Sequence, residues 1–98
     1  MSRNRKPPKL KLGARLDTAA AQKLRDTLLR KRDSSLCLDL GEVRWIGTAC
    51  AELLISASNT WTANAHELTF INCTAEFEEG MQTLGLGNWL DSIRTNAT

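Results

Sequence analysis

Short apolar runs that alternate with helical periodicities constrain this chain more than any other feature. Lys9-Leu10-Lys11-Leu12 alternates at period two, the mark of a strand with one wet face, and Gly13 breaks it. Leu36-Cys37-Leu38-Asp39-Leu40 is nearly continuous in apolar residues, as in a strand covered on both faces. Gly41-Glu42 interrupts it, Val43-Arg44-Trp45-Ile46 resumes it briefly, and Leu68-Thr69-Phe70-Ile71 supplies a further strand.

The segments between these runs change period. Ala19 to Arg32 places Ala20, Leu24, Thr27 or Leu28 and Lys31 on successive turns, with Asp17 or Thr18 as the N-cap. Its last turn, Arg30-Lys31-Arg32, complements the negative end of the helix dipole. A second helix is expected from Thr48 to Ala63, with Cys50, Leu53, Leu54, Ala57 and Trp61 sharing one buried face. Thr74 can cap a third helix that runs through Leu84 and stops at Gly85, with Glu76, Glu78 and Glu79 where negative charge is favoured. Leu86, Trp89, Leu90 and Ile93 suggest a closing hydrophobic turn or short helix.

Strands alternating with helices require crossover connections, which place helices against a mostly parallel sheet. The expected class is therefore α/β. With 98 residues and 42% apolar content there is material for one core, so a single domain over residues 9–94 is expected. Residues 1–8, basic and closed by Pro7-Pro8, read as a disordered arm, and residues 95–98 as a tail.

Charge is lopsided. Residues 1–32 carry eleven Lys or Arg against two Asp, while residues 33–98 carry two Arg against nine acids, so a formal net charge of +2 conceals two halves of opposite sign. A basic arm formed by Arg3, Arg5, Lys6, Lys9 and Lys11 can meet nucleic acid or an anionic membrane surface. It holds no aromatic residue to stack on bases, which disfavours nucleic acid.

The three cysteines, Cys37, Cys50 and Cys73, have neither CxxC nor metal-ligand spacing, so no metal site is expected and the thiols read as reduced. No apolar run approaches the roughly 20 residues of a membrane span. The start, Met-Ser-Arg-Asn-Arg-Lys, lacks a secretory apolar segment, so the expected location is the cytoplasm.

The junction Ile46-Gly47-Thr48-Ala49 has the outline of a nucleophile elbow, a strand turning sharply into a helix at a hydroxyl residue. A nucleophilic threonine needs a base within hydrogen-bond reach. The only histidine, His66, stands beyond the far end of a helix roughly 24 Å long at 1.5 Å per residue. No catalytic residue is therefore expected, and no small-molecule substrate. Gly47 alone is too little for a phosphate-cradling loop. Asp39 reads as a turn cap, and Trp61 as core. Trp45, beside Arg44, has the residue chemistry of an interface anchor.

"GARLDTAAAQKLRDTLL", "LCLDLGEVRWIGTACAELLISA" and "LTFINCTAEFEEGMQTLGL" together resemble the STAS domain, the module of anti-sigma factor antagonists and related bacterial regulators. The likeness spans about Leu12 to Leu90 and looks closest to small stand-alone STAS proteins encoded with chemotaxis components. The resemblance implies a small mixed sheet with helices packed against it, no cofactor, and a role in signal transduction through protein binding. The implied partner is an anti-sigma factor or other kinase-type ATPase, or a chemotaxis signalling protein.

Family members commonly carry Asp-Ser-Ser-Gly or Asp-Ser-Thr-Gly here, with the second hydroxyl phosphorylated. This chain has Gly47 at the acid, Thr48 at the first hydroxyl, Ala49 at the usual acceptor and Cys50 at the glycine. Thr48 is thus the candidate phosphorylation site. STAS subunits of lipid-transport ABC complexes carry Thr-Ala at the same two places, which implies an alternative role as a non-catalytic subunit of such a complex. In either role the expected partner-binding residues are Arg44, Trp45, Gly47, Thr48, Ala49, Cys50 and Glu52, a ledge of small groups with a hydroxyl at its lip. The plainer role for Thr48 is an N-cap of about 1 kcal/mol.

Overall fold

The computed structural model describes residues 7–97, so the arm's residues 1–6 lie outside the described residues. Chain order is β1 (Lys9–Lys11), β2 (Arg15–Leu16), α1 (Thr18–Lys31), β3 (Leu36–Asp39), β4 (Trp45–Ile46), α2 (Thr48–Ala63), β5 (Leu68–Ile71), α3 (Ala75–Thr83) and α4 (Gly87–Ala97). The last helix continues past residue 94, where the sequence places the end of the domain.

The class is α/β, in two small sheets. Strands β1, β3 and β5 pair in that order, with Leu10 opposite Leu38 and Leu38 opposite Phe70, while β2 pairs with β4. All of these pairings are parallel, where the resemblance implied a mixed sheet. The reason is connectivity: a helix intervenes between each pair of bonded neighbours, and an antiparallel pair is most simply closed by a hairpin. Gly13 and Ala14 turn the chain between β1 and β2, so that β2 joins β4 outside the main sheet.

Leu36, Leu38 and Leu40 are buried, whereas Cys37 and Asp39 between them are only half-buried. The central strand is therefore fully covered on one face, not on both. The covered face meets Leu24 and Leu28 of α1, Leu54, Ala57 and Trp61 of α2, and Phe77 and Met81 of α3 in one core cluster. Phe70 meets Trp89 of α4 edge to face, with ring centroids 6.0 Å apart, which seats the last helix on β5.

Caps fix where the helices begin. Asp17 accepts from the Ala20 N–H at 3.0 Å at the start of α1. Thr74 accepts from the Phe77 N–H at 3.1 Å, and its own hydroxyl donates to the Val43 carbonyl at 2.7 Å, so one side chain starts α3 and holds it to the chain before β4. Asp39 accepts from the Gly41 N–H at 2.9 Å and from the Asn72 amide at 3.1 Å, joining the loops after β3 and β5. The Gly41 bond first, and then Asn72, holds the Asp39 carboxyl below its ordinary value. No helix among the described residues is long and apolar enough to cross a membrane.

Candidate docking site

Three hydrogen bonds shape the strand that leads into the junction. The N–H groups of Arg44 and Trp45 both donate to the Ala14 carbonyl, at 2.7 and 3.1 Å, and the Gly47 N–H donates to Leu16 at 3.0 Å. The chain then turns into α2. Gly47 is the N-cap, with φ −101° and ψ 175°, and no side chain caps the helix. Thr48 is therefore the first residue inside α2, and its hydroxyl makes no cap bond; the plain N-cap role is corrected by one residue.

Of the seven expected contact residues, Arg44, Trp45, Thr48, Ala49 and Glu52 are exposed and Gly47 is half-buried. Cys50 has no exposure at all and is removed from the set. Its thiol points inward, where it donates to the Asp17 carbonyl at 3.5 Å. Successive helix residues are about 100° apart, so the neighbour of an exposed Ala49 enters the core. Burial, and then the nearby Asp17 charge, push the Cys50 thiol up to about 11. A thiol reagent at pH 8 is accordingly expected to leave Cys50 unmodified in the folded chain and to label it only in denaturant. Mass spectrometry of proteolytic peptides checks this, and rapid labelling of the native protein would contradict it.

Among the described residues, Trp45, 46% exposed, is one of the two large apolar side chains that stand out into solvent. Its register partner is Arg15, whose guanidinium carbon lies 4.7 Å from the indole centroid. The benzo edge of the ring lies against Gly47, where an added Cβ would come within 2.8 Å of Trp45 Cη2. Gly47 matters here through space and not through φ, because any side chain would have to shift the ring. An acidic side chain at this position would displace the ring from where it lies.

The junction opens on a groove of about 530 Å³ whose other wall is α3. Glu76, Glu79, Gly80, Thr83 and Leu84 form that wall, opposite Arg44, Trp45 and Thr48. The sequence reading missed this side. Its signal was Gly80, a residue unfavourable inside a helix unless space demands it. A Cβ on Gly80 would lie 2.7 Å from Ile46 Cγ2, so the glycine lets α3 pack closely on β4.

His66 lies with Ser58 and Thr62 in a separate surface depression near the end of α2. Among the described residues no cluster of three or more His, Cys, Asp or Glu could hold a metal ion.

The family model described as "Mlab, STAS domain" matches residues 1–94. The chain belongs to the STAS domain family. Neither the curated proteins nor the solved structures compared with it give a match. STAS domains are in general non-catalytic regulatory modules, and membership of the family suggests an anti-sigma factor antagonist-like regulatory fold for this chain.

Proposed function

We propose that this STAS domain is a non-enzymatic regulatory module that docks a kinase-type ATPase or signalling partner, in chemotaxis or a related pathway, over the start of α2. The observation that supports this is the exposure of Thr48, Ala49 and Glu52 beside the exposed Trp45. Small side chains at the first turn of α2 let another backbone approach closely. The flanking indole and Arg44 provide the residue types that dominate interface energetics. Arg44, Trp45, Gly47, Thr48, Ala49 and Glu52 form the proposed contact set.

Phosphorylation of Thr48 would add about −1.5 to −2 charges at the positive end of α2, which the helix tolerates. The same phosphate would share the groove with Glu76 and Glu79, making that surface strongly anionic and adverse to a partner seated on neutral residues. Ala49 has no hydroxyl, so Thr48 alone carries a switch at this turn.

A second reading places the same ledge in a lipid-transport ABC complex, as its non-catalytic subunit. It is favoured by the Thr48-Ala49 pair, exposed together at the head of α2. There the threonine contacts the ATPase without being modified.

Affinity capture from source cells with wild type, Thr48→Ala and Thr48→Glu, followed by mass spectrometry, tests both. Under the switch, wild type and Thr48→Ala retrieve the same ATPase or signalling protein and Thr48→Glu loses it by about tenfold or more. Loss in Thr48→Ala as well identifies direct contact through the hydroxyl. Equal capture by all three would leave the threonine a structural residue only. Identity of the captured protein divides the ABC role from the signalling role.

A further inference from the structure

We infer that Arg15, outside the contact set above, is a positioning residue that holds Trp45 in its docking orientation. This rests on the docking reading and deepens it. An exposed tryptophan at the end of a two-residue strand has little packing to fix its two side-chain torsions, and a partner that uses it must then order it on binding. Here the ring is ordered beforehand by contacts on two sides. The guanidinium of Arg15 lies over it at 4.7 Å, a stacking arrangement that favours arginine over lysine because the group is planar. The backbone of Gly47 meets its benzo edge.

Arg15 is itself oriented. Its Nε lies 3.5 Å from Asp17 Oδ2, while Asp17 Oδ1 caps α1. The parallel pairing of β2 with β4 sets Arg15 directly opposite Trp45. A continuous chain of contacts thus runs from the first turn of α1 through Asp17, Arg15 and Trp45 to Gly47, where α2 begins. Each member limits the freedom of the next, and its last side chain lines the same groove as Thr48.

Arg15 acts through the ring and not on the partner, and this separates the idea from a direct salt contact. An exposed cation–π pair biases the ring by about two- to fivefold. The chain contains three tryptophans, so 5-fluorotryptophan labelling gives three fluorine resonances, and Trp45→Phe assigns the one of interest. Arg15→Ala is expected to move the Trp45 resonance toward its value in the unfolded chain and leave the other two in place, with Arg15→Lys between. Binding is then measured with the purified form of the protein that wild type captures and mass spectrometry identifies.

Trp45→Ala should weaken that binding about thirtyfold, Arg15→Ala about two- to fivefold, and Arg15→Ala should do nothing further on a Trp45→Ala background. Thermal melts of each variant confirm folding. An unmoved Trp45 resonance in Arg15→Ala, or a full Arg15 effect in the absence of the indole, overturns the inference. If Ala49→Arg abolishes binding but Trp45→Ala does not, the docking reading stands and the role of Arg15 falls. If neither substitution matters, the docking reading fails and takes this one with it.

Discussion

Trp61→Ala is expected to lower folding stability by about 3–5 kcal/mol, the usual cost of removing a buried large aromatic side chain. The indole is 2% exposed and lies at the end of α2, in the cluster that also contains Leu28 and Leu36. Its Nε1–H donates to the Ser34 carbonyl at 2.9 Å, so the same side chain ties the end of α2 to the turn before β3. A domain of this size has only about 5–15 kcal/mol in total. The alanine variant therefore sits close to its unfolding threshold. Urea titration should show a large fall in midpoint with an unchanged slope, since the surface exposed on unfolding is nearly the same. Trp61→Phe keeps most of the apolar ring and gives up the hydrogen bond, and should cost only about 1–3 kcal/mol, chiefly for the carbonyl left without its donor. A midpoint for Trp61→Ala within error of wild type would show that the indole does not close this core.

Trp61 was legible because its evidence is local. It follows Leu54 and Ala57 at helical spacing, and a stripe of that period has to find a core. Cap chemistry was legible for the same reason: Asp17, Thr74 and Gly85 mark helix ends through their own side chains or, for Gly85 with φ +82°, through the lack of one. The cap of α2 was misplaced by one residue because Gly47 and Thr48 are both acceptable caps, and only the backbone angles at Gly47 decide between them. Strand pairing was hidden more deeply. Alternation counts the crossovers but does not say which strands exchange hydrogen bonds. Arg15–Leu16 is a strand only because Trp45–Ile46 lies beside it.

The candidate site divides along the same line. Thr48, Ala49 and Glu52 lie on the outer side of an amphipathic helix, and helical period finds them. Cys50 belonged to the buried stripe by that same period. Grouping it with Ala49 followed adjacency in sequence where rotation about the helix decides. Arg15 stands thirty positions from Trp45, and Glu79 more than thirty from Thr48, so neither side of the indole's surroundings leaves a trace in the local pattern. Gly80 did leave one, because a glycine in mid-helix signals close approach, yet it does not name Ile46 as what approaches.

Ala49→Arg should weaken partner binding roughly thirtyfold or more while leaving the fold intact, and the contrast carries the docking reading. Ala49 is exposed in the first turn of α2, so a longer side chain there meets only solvent in the free protein. Substitutions at such positions usually change stability by no more than about 0.5 kcal/mol. Arginine adds a cation at the positive end of the helix dipole, at a cost of about 0.3–1 kcal/mol. Ala49→Gln supplies bulk without that charge. In a complex built on close approach to the ledge, either side chain holds the two surfaces apart. A loss of about 2 kcal/mol or more, as at central interface positions, weakens binding roughly thirtyfold, since 1.4 kcal/mol is tenfold. Leu29→Arg, at an exposed large apolar side chain on α1, adds comparable bulk away from the ledge and should bind as wild type does. Isothermal titration with the captured partner, alongside thermal melts, compares all three. If Ala49→Arg and Ala49→Gln bind undiminished, the partner does not sit over the head of α2, and if Leu29→Arg is the variant that fails, the surface in use lies on α1.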